Sequence, residues 1–391
     1  MTSSSLRAYA QGMNARALVS GLCLLVVLAG TARLEAGSGV DDLARFLAGL
    51  ELPASSVLAS RTRTDWYRRH ARLITAAWAH SRQTTTQPLG EWARRQRLAG
   101  HKRVLYPFAG PDLVNALTIF PAAESILLFG LEPPGQLPDI ATMGRASLEA
   151  GLDAVRGTLT TFLTANHFFT REMGRRMDAT SLASVSGLFL FFLAASDCEV
   201  LRLSPIALGA TGRIEPGRDS DSLIDPASSP RQRIPGIEIL FRKNSGPART
   251  IRYFMLDVSD AALGVHSPGF AGFLRSGGRY ATILKAASYL LHRDSRRDDP
   301  PHFATLREIL LGQSDIIIQD DSGIPLRFFR QADWRLAFFG KYTQPVPEFA
   351  HRMQQDLWDR MCYTSGGPLP FFFGYDRRPG AANVMIAERT R

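Results

Sequence analysis

The stretch "VLYPFAGPDLVNALTIFPAAESILLFGLEP", Val104 to Pro133, decides how the rest of the chain is read. Arg103 to Phe108 reads as a strand, its apolar run from Val104 the mark of one buried on both faces. Gly110 and Pro111 break it, and "PDLVNALTIF" follows with helical spacing. Pro111 suits the first helical position, since its missing N–H is one that a helix start leaves unused. "SILLFGLEP" predicts a second strand running out to Glu132. Strand, helix and strand in succession form a βαβ unit, so a parallel sheet is expected.

With Pro111 opening the helix, Gly110 sits at its cap and leaves room for a ligand near the first amides. Pro111 donates nothing, so the donors are Asp112, Leu113 and Val114. The Asp112 carboxylate, favoured by the helix dipole, competes with any anion there. The turn therefore suits a hydroxyl or amine ligand at Asp112 better than a phosphate.

Downstream the alternation continues. Helices are expected over Arg145–Phe168, Thr170–Met177 and "SLASVSGLFLFFLAAS", Ser181 to Ser196. The last is too short to span a membrane and reads as a helix buried on most sides. "EVLRLSPIAL" reads as a strand, residues 212–235 as a polar loop, and "GIEILFRKN" with "ARTIRYFMLDVS" as a hairpin. Helices are expected at Phe270–Leu274, Tyr280–Leu291 and "FATLREILLG", and a strand at "DIIIQDDSGIP". "LRFFR" and "WRLAFFGKYT" read as strands, "PEFAHRMQQDLWDRM" as a helix and "PLPFFFGYD" as a last strand. The fold class is α/β: a Rossmann-like mixed sheet with flanking helices, preceded by a basic helical N-terminal segment.

The first 36 residues differ. Arg7 and Arg16 precede the charge-free run Ala17–Ala32 and then small residues, the layout of a secretory signal peptide. An uncleaved membrane anchor is the alternative. The expected organisation is a signal peptide at 1–36, a basic helical segment at 37–100 and an α/β domain at 101–391, in an exported, periplasmic or secreted protein. Export would leave Cys198 and Cys362 in an oxidising compartment, where one disulfide or two buried thiols are both open.

The chain carries a formal net charge of +10, and between Arg61 and Arg103 ten arginines and Lys102 stand against Asp65 and Glu91. In "TDWYRRHARLITAAWAH", Thr64 to His80, Trp66, Leu73, Ile74, Ala77 and Trp78 keep helical spacing, while Arg68, Arg69 and Arg72 fall mostly elsewhere. Such a face either is merely solvated or docks on an anionic membrane or polymer surface; no nucleic-acid partner is expected.

Beyond Asp112 and Glu132, "IIIQDDSGIP" delivers Gln319, Asp320, Asp321 and Ser322 to a strand's carboxyl end, where open α/β sheets place their ligands. Asp112, Asp320 and Asp321 are the candidate catalytic carboxylates; Gly110, Asp112, Glu132, Gln319 and Asp257 are the candidate ligand contacts. Adjacent strand residues face opposite ways, so Asp320 and Asp321 are not expected to act as one pair. Asp257 and Asp260, with His266 on a shared loop, form a further cluster, and Lys341, Tyr342, Tyr375 and Asp376 rim a possible cleft or close the core. No metal-ligand spacing, nucleophile elbow, P-loop, HExxH or CxxC is present.

The βαβ unit resembles the first half of a class I methyltransferase, in which an acid at the Glu132 position holds ribose hydroxyls. It departs from that pattern in having one glycine followed by proline. An exported protein also meets little S-adenosylmethionine or nucleotide, so the cofactor stays open. "YPFAGPD", "GLEPPG" and "QDDSGIP" are similar to stretches of a family of exported bacterial proteins that brings no activity to transfer. The function expected is binding of a polar small molecule or envelope glycan in an α/β cleft. The alternatives are an enzyme, methyltransferase-like or a carboxylate-dependent hydrolase, and a docking protein for anionic surfaces.

Overall fold

The computed structural model describes residues 38–166, 181–217, 233–265, 267–293, 301–340, 368–374 and 382–390. Side-chain alternation along the first strand, β1 (Arg103–Pro107), sets the layers. Val104 and Tyr106 enter one apolar cluster and Leu105 the other, so β1 is a central strand covered on both faces. The next strands are β2 (Ser125–Gly130), β3 (Cys198–Gly209), β4 (Ile214–Pro216), β5 (Arg233–Lys243) and β6 (Arg249–Met255). They are followed by β7 (Tyr280–Leu284), β8 (Ser314–Gln319), β9 (Trp334–Gly340) and β10 (Asn383–Arg389).

These ten strands make one mixed sheet in the order β4-β3-β5-β6-β2-β1-β7-β8-β10-β9. The five central strands, β6-β2-β1-β7-β8, are parallel. Antiparallel pairs extend both sides, β6-β5-β3-β4 on one and β8-β10-β9 on the other. The chain builds outward from β1 to β2 and β6, then crosses back to place β7 on the other side of β1. Progression thus reverses at the β1/β7 boundary.

One face of the sheet is covered by α1 (Ser38–Leu47), α2 (Asp65–Ser81), α3 (Gln87–Arg95), α4 (Leu113–Ile119), α5 (Arg145–Ala165) and α6 (Val185–Ala195). The other is covered by α7 (Asp260–Val265), α8 (Pro268–Ser276) and α9 (Ala304–Gln313). The α6 sequence "VSGLFLFFLAA" is apolar all round because almost all of it is buried; Val185 through Ala194 have no exposed side chain. No helix among the described residues is long and apolar enough to cross a membrane.

Several expectations are corrected. Tyr280–Leu284 is a strand, not a helix, and only Ala287–His292 coils, as a 3-10 turn. All five strand residues are buried, so no alternation shows and the run looks like a buried helix in sequence. "LRFFR" forms a 3-10 turn at Leu326–Phe328. In "PLPFFFGYD" residues 368–374 form no strand: Pro368 and Pro370 lack the N–H a ladder needs, while Phe371 and Phe373 go into the core. The last strand is β10 instead, wedged between β8 and β9. The helices predicted at Thr170–Met177 and in "PEFAHRMQQDLWDRM" and the signal peptide at 1–36 lie outside the described residues, as do Cys362 and most of the 212–235 loop. Cys198 is buried and its thiol contacts the Ser196 carbonyl at 3.7 Å.

Candidate functional site

The first turn differs from the expectation in its detail. The helix begins at Leu113 with Asp112 at the cap, and the Asp112 side chain does not cap it. Gly110 takes φ +50° and Phe108 φ +56°, which twist the chain off the end of β1. The second value is costly for a residue with a Cβ. The Asp112 carboxylate is carried inward instead of toward solvent, and the side chain is buried.

There it meets a network. The Tyr106 hydroxyl donates to Asp112 Oδ2 at 2.8 Å, and Asn115 Nδ2 donates to both Asp112 oxygens at 2.7 and 2.9 Å. Lys285 Nζ lies 2.5 Å from Asp112 Oδ2, with side chains only 1% and 6% exposed. Asn115 and Asn166 exchange amide hydrogen bonds at 3.0 and 3.1 Å, and Asn166 also donates to the Phe372 carbonyl at 2.7 Å. Phe162 and Phe373 present their rings to the Lys285 ammonium at 5.6 and 5.8 Å.

Asp320 completes the group from the end of β8. It accepts from the Ala286 N–H at 3.1 Å, from the Ser322 N–H at 3.0 Å and from the Ser322 hydroxyl. Burial raises its carboxyl above the ordinary range, opposed by the Ser322 hydroxyl, the Ala286 and Ser322 amides and Lys285. Burial, then Asp112, holds the Tyr106 hydroxyl far above its ordinary value, so it stays a donor. Ala286, whose amide meets Asp320, takes φ 57° and ψ −98°, a second strained non-glycine position at the same edge. Gly374 (φ +77°) lies so close over Asp320 that a Cβ there would collide with its carboxylate.

Glu132 does not join this network. Its carboxyl sits against Gly110 and Gly130, where a Cβ on Gly110 would come within 3.3 Å of Oε2. It accepts from its own N–H and that of Leu131 and lies against Tyr253, whose hydroxyl donates to the Glu132 carbonyl at 2.8 Å. Burial raises this carboxyl too. Asp112 and Asp320 are therefore brought together through Lys285, while Glu132 is turned into the fold on the β2 side of β1.

The remaining candidates are placed as follows. Asp321 is buried beside Asp320. The Gln319 amide donates to the Ile324 carbonyl at 2.8 Å and accepts from the Ile324 N–H at 2.9 Å, clamping the turn. Asp257 accepts from the Ser259 N–H at 2.8 Å in a local turn, and Asp260 caps α9 through the Ala304 and Thr305 amides. His266, Lys341, Tyr342, Tyr375 and Asp376 lie outside the described residues. Arg68, Arg69 and Arg72 are exposed on α2. A separate cleft of about 400 Å³ lined by Ser60, Arg61, Thr64, Asp65, Trp66 and Arg145 shares no residue with the network. No group of three or more His, Cys, Asp or Glu able to hold a metal ion occurs among the described residues.

Lys285, Tyr106, Asn115, Asn166 and Ser322 were not singled out from sequence, save Ser322 as a neighbour of Asp320. Lys285 did carry a signal: it is the lone charge in "YATILKAASYLL", and a lysine inside an apolar run needs a buried partner. Asn166 carried none, since its role depends on the left-handed turn that ends α5.

Comparison of the chain with protein-family models, curated proteins and solved structures finds no match.

Proposed function

We propose that the protein binds a small polar ligand, rich in hydroxyl or amine groups, at the carboxyl edge of its parallel strands beside the β1/β7 boundary. One observation carries this reading. The chain assembles a buried ion pair, an asparagine pair and two strained non-glycine residues at one edge, from the ends of β1, α5, β7 and β8. Each of these features is unfavourable by itself: a buried ion pair often stabilises less than an apolar replacement, and each strained residue costs about 1–3 kcal/mol. Their convergence at the point where strand progression reverses, where open α/β sheets bind ligands, favours a site over accidental packing. The ligand class this favours is a small polar molecule or envelope glycan.

A second reading, an enzyme with methyltransferase-like ancestry, is favoured by the strand order. Numbered along the chain, the parallel strands run 3-2-1-4-5, and the reversed β10 lies next to the fifth, the order expected of a class I methyltransferase-like sheet. The residues do not fit its cofactor, however. Glu132 spends its carboxyl on its own and the Leu131 amides, facing Tyr253, and the turn has one glycine before a proline. We infer ancestry, not S-adenosylmethionine chemistry. The charge-free run Ala17–Ala32 supports export as the setting.

Thermal-shift screening of the full chain against sugars, amino-sugars, short peptides and nucleosides tests the reading. At a hundredfold excess over Kd a ligand should stabilise by about 2.7 kcal/mol. The shift should be lost in Tyr106→Phe, which keeps the ring and removes the hydroxyl that orients Asp112. A shift that survives in Tyr106→Phe and in Asp320→Asn places the ligand elsewhere and sinks the proposal.

A further inference from the structure

The exposed face of the N-terminal helical layer belongs to helical segments that are continuous in the chain. α2 ends at Ser81, a π-turn occupies Arg82–Thr86, and α3 starts at Gln87, so the helix runs without a break from Asp65 to Arg95, about 45 Å at 1.5 Å per residue. The buried positions along it are Tyr67, His70, Ile74, Ser81, Thr85, Leu89, Trp92 and Ala93. Leu89 and Trp92 in α3 are buried, as Tyr67 and Ile74 are in α2.

Arg68, Arg69 and Arg72 in the first half and Arg94 and Arg95 in the second all lie on the exposed side, with Arg82 between them. Asp65 pairs with Arg68 at 3.3 Å; Arg69, Arg72, Arg82, Arg94 and Arg95 form no ion pair with another described residue. Burial, and after it the like charge of Arg69, lowers the affinity of Arg156 for its proton. Acids at i±4 positions would relieve this repulsion, and the helix carries only Asp65 and Glu91. The tryptophans do not join the outer face: Trp78 packs on Phe191, and Trp92 on Phe339 and Phe371. Leu73, 49% exposed, is the apolar residue set among the arginines.

We infer that this rod is a docking face for an anionic phospholipid bilayer, lying along the surface with its arginines at the headgroup phosphates. Charge complementarity carries the choice of an anionic partner. The choice of lipid over nucleic acid follows from the charge-free segment that precedes it in the chain, which addresses the protein to a membrane system. The attraction is electrostatic and shallow, because a single leucine offers little to bury.

The test is co-sedimentation of the full chain with vesicles of phosphatidylcholine alone and of phosphatidylcholine mixed with phosphatidylglycerol. Binding should be markedly tighter to the mixed vesicles and should collapse between about 0.1 and 1 M salt, as the screening length falls from about 10 to about 3 Å. Replacing Arg68, Arg69 and Arg72 together by glutamine should weaken it about a hundredfold, at roughly fivefold per arginine. The control Arg213→Gln/Arg275→Gln removes two exposed cations elsewhere, Arg275 from α8 on the opposite face of the sheet, and should leave binding within about twofold. These positions are exposed, so the variants should melt with the parent. Association through the apolar run Ala17–Ala32 would ignore salt, lipid charge and the arginines. That outcome overturns the proposal, as would tighter binding to DNA or to an anionic glycan polymer than to vesicles.

Discussion

Replacing Lys285 by methionine keeps the length and most of the volume of the side chain and removes only its charge. In the parent, Lys285 Nζ stands 2.5 Å from Asp112 Oδ2 with both side chains almost fully buried. The variant strands the Asp112 carboxylate with the Tyr106 hydroxyl and the Asn115 amide as its remaining donors. Removing one partner of a buried pair costs about 3–5 kcal/mol, chiefly the penalty of the uncompensated charge. Asp320, also facing Lys285, loses a favourable neighbour as well. Urea unfolding at pH 7 should show this loss. Lys285→Met combined with Asp112→Asn removes both members of the ion pair and should recover much of the stability, giving a coupling energy well above 1 kcal/mol. If the single variant lies within about 1 kcal/mol of the parent, or the double variant equals the sum of the singles, the pair is not the buried keystone described here.

Two further outcomes follow from the geometry. His70 donates through Nε2 to the Leu47 carbonyl at 3.1 Å and accepts from Arg156 at Nδ1 at 2.7 Å, and burial, with Arg156, lowers it to about 4. The fold thus holds it neutral: its contribution is complete above the ordinary histidine value of about 6.5 and is lost as the pH falls from there through about 4. His292, lowered to about 4 by burial, adds to the same window, so His70→Gln should flatten the acid limb of a melting-temperature profile in part; an unchanged slope would refute this. Gly374→Ala combines a left-handed backbone, costing about 1–2 kcal/mol, with a Cβ driven into Asp320. It should lower the melting temperature and speed amide exchange at Ala286 and Ser322, and unaltered exchange there would show that residues 368–374 do not hold the Asp320 turn.

Much of the α/β pattern was legible in the chain. The βαβ unit at Val104–Pro133, the hairpin of β5 and β6 and the buried α6 all follow from apolar spacing and turn residues, because each is a local pattern. Strand β7 was not legible. A strand covered on both faces loses its alternation, and "YATILKAASYLL" is also rich in good helix formers. β10 was missed because its strand character comes from its slot between β8 and β9. At the site, sequence singled out Asp112 and Asp320 from their places at strand ends.

The sequence by itself determined the α/β class, the edge of the sheet where polar residues gather and the concentration of arginines before β1, since composition and period are local properties. Only the tertiary structure decided that Asp112 and Asp320 share Lys285 and that Asn115 meets Asn166. Those outcomes depend on which residues meet across 34 to 173 positions of chain. No short window of sequence contains them.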